Sequence, residues 1–252
     1  MIDLESLWRH PPPDLALSRD DVHIWRASLE QPVEYVCRLA QTLSSDEMVR
    51  AERFHFERDR RRFIVGRGVL RAILGQYLGT DPSQVKFSYG QRGKPRLAAG
   101  FDGKALRFNL AHSRELALYA FVRDREVGID LEYIRPLSDA EEIAAWAFSR
   151  YENAELKAMP ERKRREAFFG YWTCKEAYIK ATGAGLSLPL DQFEISLALG
   201  KSPHLVRVED ASEEVGRWAL EQLTPCAGYV AAFAVEGRDY QLRFLQWEGP
   251  RD

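Results

Sequence analysis

The second half of this chain repeats the first. "VHIWRA" opens at Val22 and "VGIDLE" at Val127, an offset of 105 (127 − 22). "LSSDE" ends at Glu47 and "FSRYE" at Glu152, again 105 apart (152 − 47). "RRFIVGRGVLR", from Arg61 to Arg71, lines up with "REAFFGYWTCK", from Arg165 to Lys175, at an offset of 104 (165 − 61). That alignment pairs Gly66 with Gly170, Arg71 with Lys175 and, further on, Gly79 with Gly183. "LYAFV" at Leu118 then resembles "VAAFAV" at Val230. Matches in one order at one offset point to a duplicated unit, and a duplicated unit must fold twice in the same way.

Each copy reads as a strand, a set of helices and a closing set of strands. The opening strands are Val22 to Ala27 and Val127 to Glu132. Ser44 and Ser149 have an acid three residues on, Glu47 and Glu152, the spacing of a capping box. Long amphipathic helices follow over about Arg58 to Leu78 and Lys163 to Thr182. Phe63, Val65, Leu70, Ile73, Leu74 and Tyr77 mark one core face; Ala167, Phe168, Tyr171, Trp172 and Ile179 mark the other. "KFSYG", "LRFNLA" and "LALYAFV" close the first copy. "FEISLA", "HLVRVE", "RWALEQL", "YVAAFAV" and "YQLRFLQW" close the second, with turns such as "AAGFDGK" between strands. The predicted fold is α+β, two similar halves related by a pseudo-twofold with a ligand cleft between them. The boundaries predicted are a lead-in over 1–20, a first half over 21–125 and a second over 126–252.

A net charge of −2 over 252 residues argues against a nucleic-acid or anionic-membrane binder. Cys37, Cys174 and Cys226 form neither a metal-ligand spacing nor a disulfide framework, which suits a cytoplasmic protein with reduced thiols. "MIDLESLWRHPPPDL" lacks the pattern of a signal peptide, and no stretch is apolar and long enough to span a membrane.

The chemistry-bearing residues divide unequally. Asp130 and Glu132 are two apart on a strand, so they point the same way with Leu131 opposite. Two such carboxylates are either solvated on an edge or drawn together by a cation, and oxygen ligands favour Mg²⁺ or Mn²⁺. On the second long helix Trp172, Glu176 and Lys180 recur every four residues and share a face. The first copy has Trp25 in place of Asp130 and Ala72 in place of Glu176, so both acids are missing there together. Cations gather instead in the first copy: Arg50, Arg53, Arg58, Arg60, Arg61, Arg62, Arg67 and Arg71, with Lys94 on a turn and His112 at a strand end. Arginine suits bidentate phosphate binding. Cations on one half and carboxylates on the other suggest a phosphorylated ligand with a bridging metal.

"GKP", "FNLAHS", "VGIDLE" and "FSRYE…YWTCKEAYIKATGAGLSLPL" together resemble the ordered motifs of the 4′-phosphopantetheinyl transferases, in the two-half, surfactin-type branch. The resemblance runs from about Leu43 to Ile195. It implies transfer of the phosphopantetheine arm of coenzyme A to a serine of an apo carrier protein, with release of 3′,5′-ADP. It further implies that Asp130, Glu132 and Glu176 hold Mg²⁺, that Lys180 neutralises the pyrophosphate, and that Glu176 serves as general base. Coenzyme A would be bound by Arg62 and His112 at its 3′-phosphate, by Gly93, Lys94 and Pro95 at the nucleotide, and by Lys175, Lys180 and Arg53, with Arg50 a further candidate. Glu152 matches a family acid near the metal region, and "TGAGLSLPL" is expected to border the carrier surface. Ala111 stands where the branch often has serine, so one hydroxyl contact is missing. Two fused halves supply in one chain a cleft that smaller relatives make between subunits, so a monomer is expected. The rival reading is a non-catalytic module of the same fold that binds coenzyme A or a carrier domain.

Overall fold

The structure is a computed structural model that describes residues 7–90, 93–100, 105–185, 188–197 and 202–249. Parts of "AAGFDGK" and of "TGAGLSLPL" lie outside the described residues. The first half runs β1 (Asp21–Ser28), α1 (Val33–Ala40), α2 (Ser45–Glu52), α3 (Glu57–Leu78), β2 (Phe87–Tyr89), β3 (Pro95–Leu97), β4 (Leu106–Ser113) and β5 (Leu116–Arg123). The second runs β6 (Val127–Tyr133), α4 (Ala140–Ala147), α5 (Arg150–Ala158), α6 (Glu161–Thr182), β7 (Phe193–Ser196), β8 (His204–Val208), α7 (Glu214–Arg217), β9 (Trp218–Leu223), β10 (Tyr229–Glu236) and β11 (Gln241–Gln246).

The two halves share a strand order. In the first, β1 pairs with β5 and β5 with β4; in the second, β6 pairs with β10 and β10 with β9, all antiparallel. β11 departs from the expected pattern. Instead of closing the second half it lies parallel to β1, with Val22 opposite Leu242 and Trp25 opposite Leu245. The reason is apolar. Leu245 and Trp247 bury in the first half's core, and the Trp247 indole donates to Tyr35 Oη at 2.9 Å.

Period-2 alternation sorts the side chains into layers. Trp25, Ala27, Tyr119 and Phe121 face α3 and pack on Val65, Leu70, Ile73 and Leu74. Their neighbours Val22, Ile24, Leu118, Ala120 and Val122 face the other sheet, where Val127, Ile129, Leu131, Ala231 and Phe233 meet them. Ala232 and Ala234 face α6 with Phe168, Tyr171 and Tyr178. The order is helix, sheet, sheet, helix. Gly79 (φ 64°) and Gly183 (φ 70°) stop α3 and α6 at matching places, in the left-handed conformation that glycine adopts without strain.

Both capping boxes form, and each does more than cap. Glu47 accepts from Ser44 N and is held by Arg67 Nε at 2.8 Å and Arg71 Nε at 2.7 Å. Burial alone would raise its pKa; the Arg67 cation, the Ser44 amide and Arg71 outweigh burial and lower it. Glu152 accepts from Ser149 N and Ile195 N and lies 2.9 Å from Lys175 Nζ. The aligned acids and the aligned cations are thus one brace, built twice, tying the short helix of each half to its long helix.

Candidate active site at the seam of β6 and α6

The carboxylates occupy the side of β6 that faces α6. Gly128 makes the close approach possible: a Cβ there would run into the Ala177 carbonyl oxygen and the Ala181 amide. With strand and helix backbones in contact, Asp130, one strand period on, meets the side chains of the helix's last turns. Lys180 Nζ donates to Asp130 Oδ1 at 2.6 Å and to the Ile129 carbonyl at 3.3 Å. Asp130 is buried, and its second oxygen, Oδ2, has no hydrogen-bond partner. Glu132 accepts from Ser113 Oγ at 3.1 Å, and the same hydroxyl accepts from Tyr133 N.

The three acids are electrostatically one group. Burial raises the pKa of Glu132, and the Asp130 charge raises it further. Burial also raises Glu176; Asp130 and Glu132 add to the rise, and Lys180 opposes it. Among the described residues no three acidic, His or Cys side chains converge into a ready metal cluster, and Asp130 is paired with Lys180. The donor chemistry nevertheless suits a hard divalent cation: only oxygens, mutually repelling, one of them buried and unpartnered.

One first-half residue, His112, approaches this seam, with Arg62 near it. His112 lies at the exposed end of β4, with its pKa lowered by desolvation, then by the cations of Lys180 and Arg62. One imidazole therefore feels both halves. Arg62, on α3, donates Nε and Nη2 to Glu30 Oε1 at 2.8 and 2.6 Å. Asn109 also joins the halves, accepting from the Ile129 amide through Oδ1 at 2.8 Å.

Other expected ligand contacts are placed differently. Lys175 is fully buried, and its ammonium donates to the Leu190 and Phe193 carbonyls at 2.6 and 2.7 Å besides meeting Glu152. Its ammonium is committed to these acceptors on the side of α6 away from Glu176, a bracing position, and no contact of it with the carboxylate seam is seen among the described residues. Lys94 keeps its turn between Gly93 and Pro95, but its ammonium donates to the Lys180 carbonyl at 2.6 Å and the Val127 carbonyl at 3.2 Å, and meets Glu126 at 3.4 Å. Burial lowers its pKa and Glu126 opposes the drop. Gly93 at this turn is left-handed (φ 76°) and exposed. Arg53 caps α2 and lines an open depression of about 970 Å³ with Arg50, Phe54 and Tyr89, none of which belongs to the carboxylate seam. Ser113, Asn109 and Glu30 escape a reading of the sequence. The alternation along β4 hints at the first two; nothing local marks Glu30.

Comparison with known proteins follows the same division of the chain. Residues 126–234 match the profile described as the 4′-phosphopantetheinyl transferase superfamily. Residues 24–122 match the one described as 4′-phosphopantetheinyl transferase, N-terminal. The chain is 47% identical over 244 residues to the 4′-phosphopantetheinyl transferase HetI of Nostoc sp., covering 97% of this chain and 100% of that protein. It is 35% identical over 197 residues to a putative 4′-phosphopantetheinyl transferase of Synechocystis sp., covering 78% and 77%. With the 4′-phosphopantetheinyl transferase Sfp of Bacillus subtilis it shares 32% identity over 160 residues, covering 64% and 69%. A relative this similar along the full length settles the family: the chain belongs to the 4′-phosphopantetheinyl transferase superfamily.

Proposed function

We propose that the chain moves the 4′-phosphopantetheine arm of coenzyme A to a serine hydroxyl of an apo carrier protein, releasing 3′,5′-ADP. Family membership supports the reaction. The observation that supports the site is the buried, unpartnered Oδ2 of Asp130 among mutually repelling acids beside Lys180.

Asp130, Glu132 and Glu176 would hold Mg²⁺ or Mn²⁺. When bound, the ion supplies charge neutralisation and Lewis-acid polarisation at the pyrophosphate. Lys180, paired with Asp130 at 2.6 Å, would neutralise charge on the leaving phosphate as the bond breaks. Glu176 lies on the last turns of α6 beside Asp130 and Lys180 and is the carboxylate that would accept the serine proton. The serine Oγ attacks the phosphorus that bears the pantetheine. The bond from that phosphorus to the bridging oxygen breaks, 3′,5′-ADP departs with the electron pair, and the serine proton passes to Glu176. Arg62 and His112 would bind the 3′-phosphate, which puts the nucleotide on the first half and the breaking bond on the second. The backbone of the Gly93–Pro95 turn remains available to the nucleotide, although the Lys94 ammonium is committed to the end of α6.

The test is incubation with an apo carrier, coenzyme A and Mg²⁺, read by intact mass of the carrier. A gain of one phosphopantetheine arm is expected. Coenzyme A binding without a gain would favour the non-catalytic module. Cleavage of coenzyme A with no carrier present would favour a hydrolytic phosphoryl transfer.

A further inference from the structure

Arg62 faces a carboxylate. Its Nε and Nη2 both donate to Glu30 Oε1, at 2.8 and 2.6 Å, and Glu115 Oε2 lies 3.7 Å from Nη2. The Arg62 side chain is 20% exposed, whereas Glu30 and Glu115 are 58% and 54% exposed. The guanidinium is therefore fixed against the protein while its anionic partners stand in solvent. The turn that carries Glu30 is itself tied down. Leu29 N donates to the Glu115 carbonyl at 2.7 Å, and Glu30 N donates to Ser28 Oγ at 3.3 Å. Two anionic side chains from separate segments are thus held around one arginine, beside a histidine that feels its charge.

We propose that Glu30, assisted by Glu115, is a specificity-tuning residue that occupies Arg62 in place of the 3′-phosphate and has to be displaced when coenzyme A binds. This rests on the reading of Arg62 as a 3′-phosphate contact. An exposed carboxylate holds an arginine weakly, while a phosphate monoester brings nearly two charges and a matching bidentate geometry. The exchange favours the phosphate, yet a ligand that carries the 3′-phosphate must break the Glu30 pair first. Ligands lacking the 3′-phosphate gain nothing by breaking it and leave the pair intact. Glu30 would thereby set the affinity for coenzyme A without touching the reacting atoms.

The experiment is calorimetric titration of coenzyme A and 3′-dephospho-coenzyme A into the full chain with Mg²⁺, for wild type, Glu30→Gln, Arg62→Ala and the double variant. Glu30→Gln should tighten coenzyme A by about two- to fivefold, the range expected for an exposed pair. It should leave 3′-dephospho-coenzyme A unchanged, and its effect should vanish in the Arg62→Ala background. Glu115→Gln should act in the same direction and less, given the longer contact. If Arg62→Ala selectively weakens coenzyme A but Glu30→Gln does not tighten it, the placeholder role fails and the phosphate role of Arg62 stands. If Arg62→Ala weakens both ligands equally, both fall. Tightening of both ligands, or tightening that survives in the double variant, would mark a diffuse charge effect and overturn the proposal.

Discussion

The first half and the second half put different chemistry into the same seam. On β1 the residues facing α3 are His23, Trp25 and Ala27; on β6 the aligned residues are Gly128, Asp130 and Glu132. Ala72 and Gln76 of α3 align with Glu176 and Lys180 of α6. In the first half the seam is filled. His23 and Trp25 are fully buried, and both hydrogen-bond to Tyr77 Oη, at 2.7 and 2.9 Å. Burial pulls the His23 pKa down to about 4, so that imidazole is neutral and structural at pH 7. In the second half glycine brings helix and strand together, and the room beside it holds charge. The buried Glu–cation brace is kept in both halves, whereas the seam differs. Scaffold and chemistry are therefore separable in this molecule, and substitutions should sort accordingly.

The largest effects belong to the second seam. Asp130→Ala or Glu176→Ala should lower carrier modification by about 10²–10³-fold or more, the scale on which single electrostatic groups act, with the far-ultraviolet circular dichroism unchanged. In the first seam the same kind of truncation should cost stability instead. Trp25→Ala should remove about 3–5 kcal/mol, measured by urea denaturation, with the transfer rate per folded molecule retained. Lys175→Met should behave like Trp25→Ala despite its place beside Glu176. It strands the buried Glu152 and should cost about 3–5 kcal/mol. A variant that stayed stable but lost activity would return Lys175 to the ligand site.

A smaller, pH-dependent contrast follows from the carboxylates. Glu132 and Glu176 have raised pKa values, so the metal-free fold binds their protons more readily than the unfolded chain does. Their contribution to stability falls as pH rises from the unfolded value, about 4.3, through the raised one. Glu47 works in the opposite sense: its lowered pKa contributes stability that is present above the unfolded value and lost as pH falls through the folded one. Metal-free Glu132→Gln should accordingly show a flatter loss of stability with rising pH than wild type. Protons should compete with the metal at Glu132 and Glu176, so the Mg²⁺ concentration needed for half-maximal activity should rise as pH falls through the raised metal-free values. A Mg²⁺ requirement that did not change with pH would mean that these carboxylates do not hold the metal.

Much of this contrast was legible in the sequence because it is local. Strand period, helix period, the two capping boxes and the glycine stops are written within a few residues of where they act, and α3 begins at Glu57, one residue from its expected start. The alignment of Trp25 with Asp130 and of Ala72 with Glu176 located the odd seam. What the sequence hid is long-range pairing. Glu47 and Arg71 could be matched with Glu152 and Lys175 as aligned residues, yet nothing in either segment says that acid meets base. Lys94 is a candidate nucleotide contact through the resemblance of its Gly93–Pro95 turn, and that turn does not show that its ammonium acceptors come from β6 and α6, far along the chain. β11 was assigned to the wrong sheet because strand alternation shows that a strand exists and not which edge it joins.

The central claim is that the acidic seam, and not the scaffold around it, performs transfer. The most direct measurement is the intact mass of an apo carrier incubated with coenzyme A and Mg²⁺ and either wild-type protein or folded Asp130→Ala. The account predicts a gain of one phosphopantetheine arm with wild type and none over the same interval with the variant; equal gains with both would contradict it.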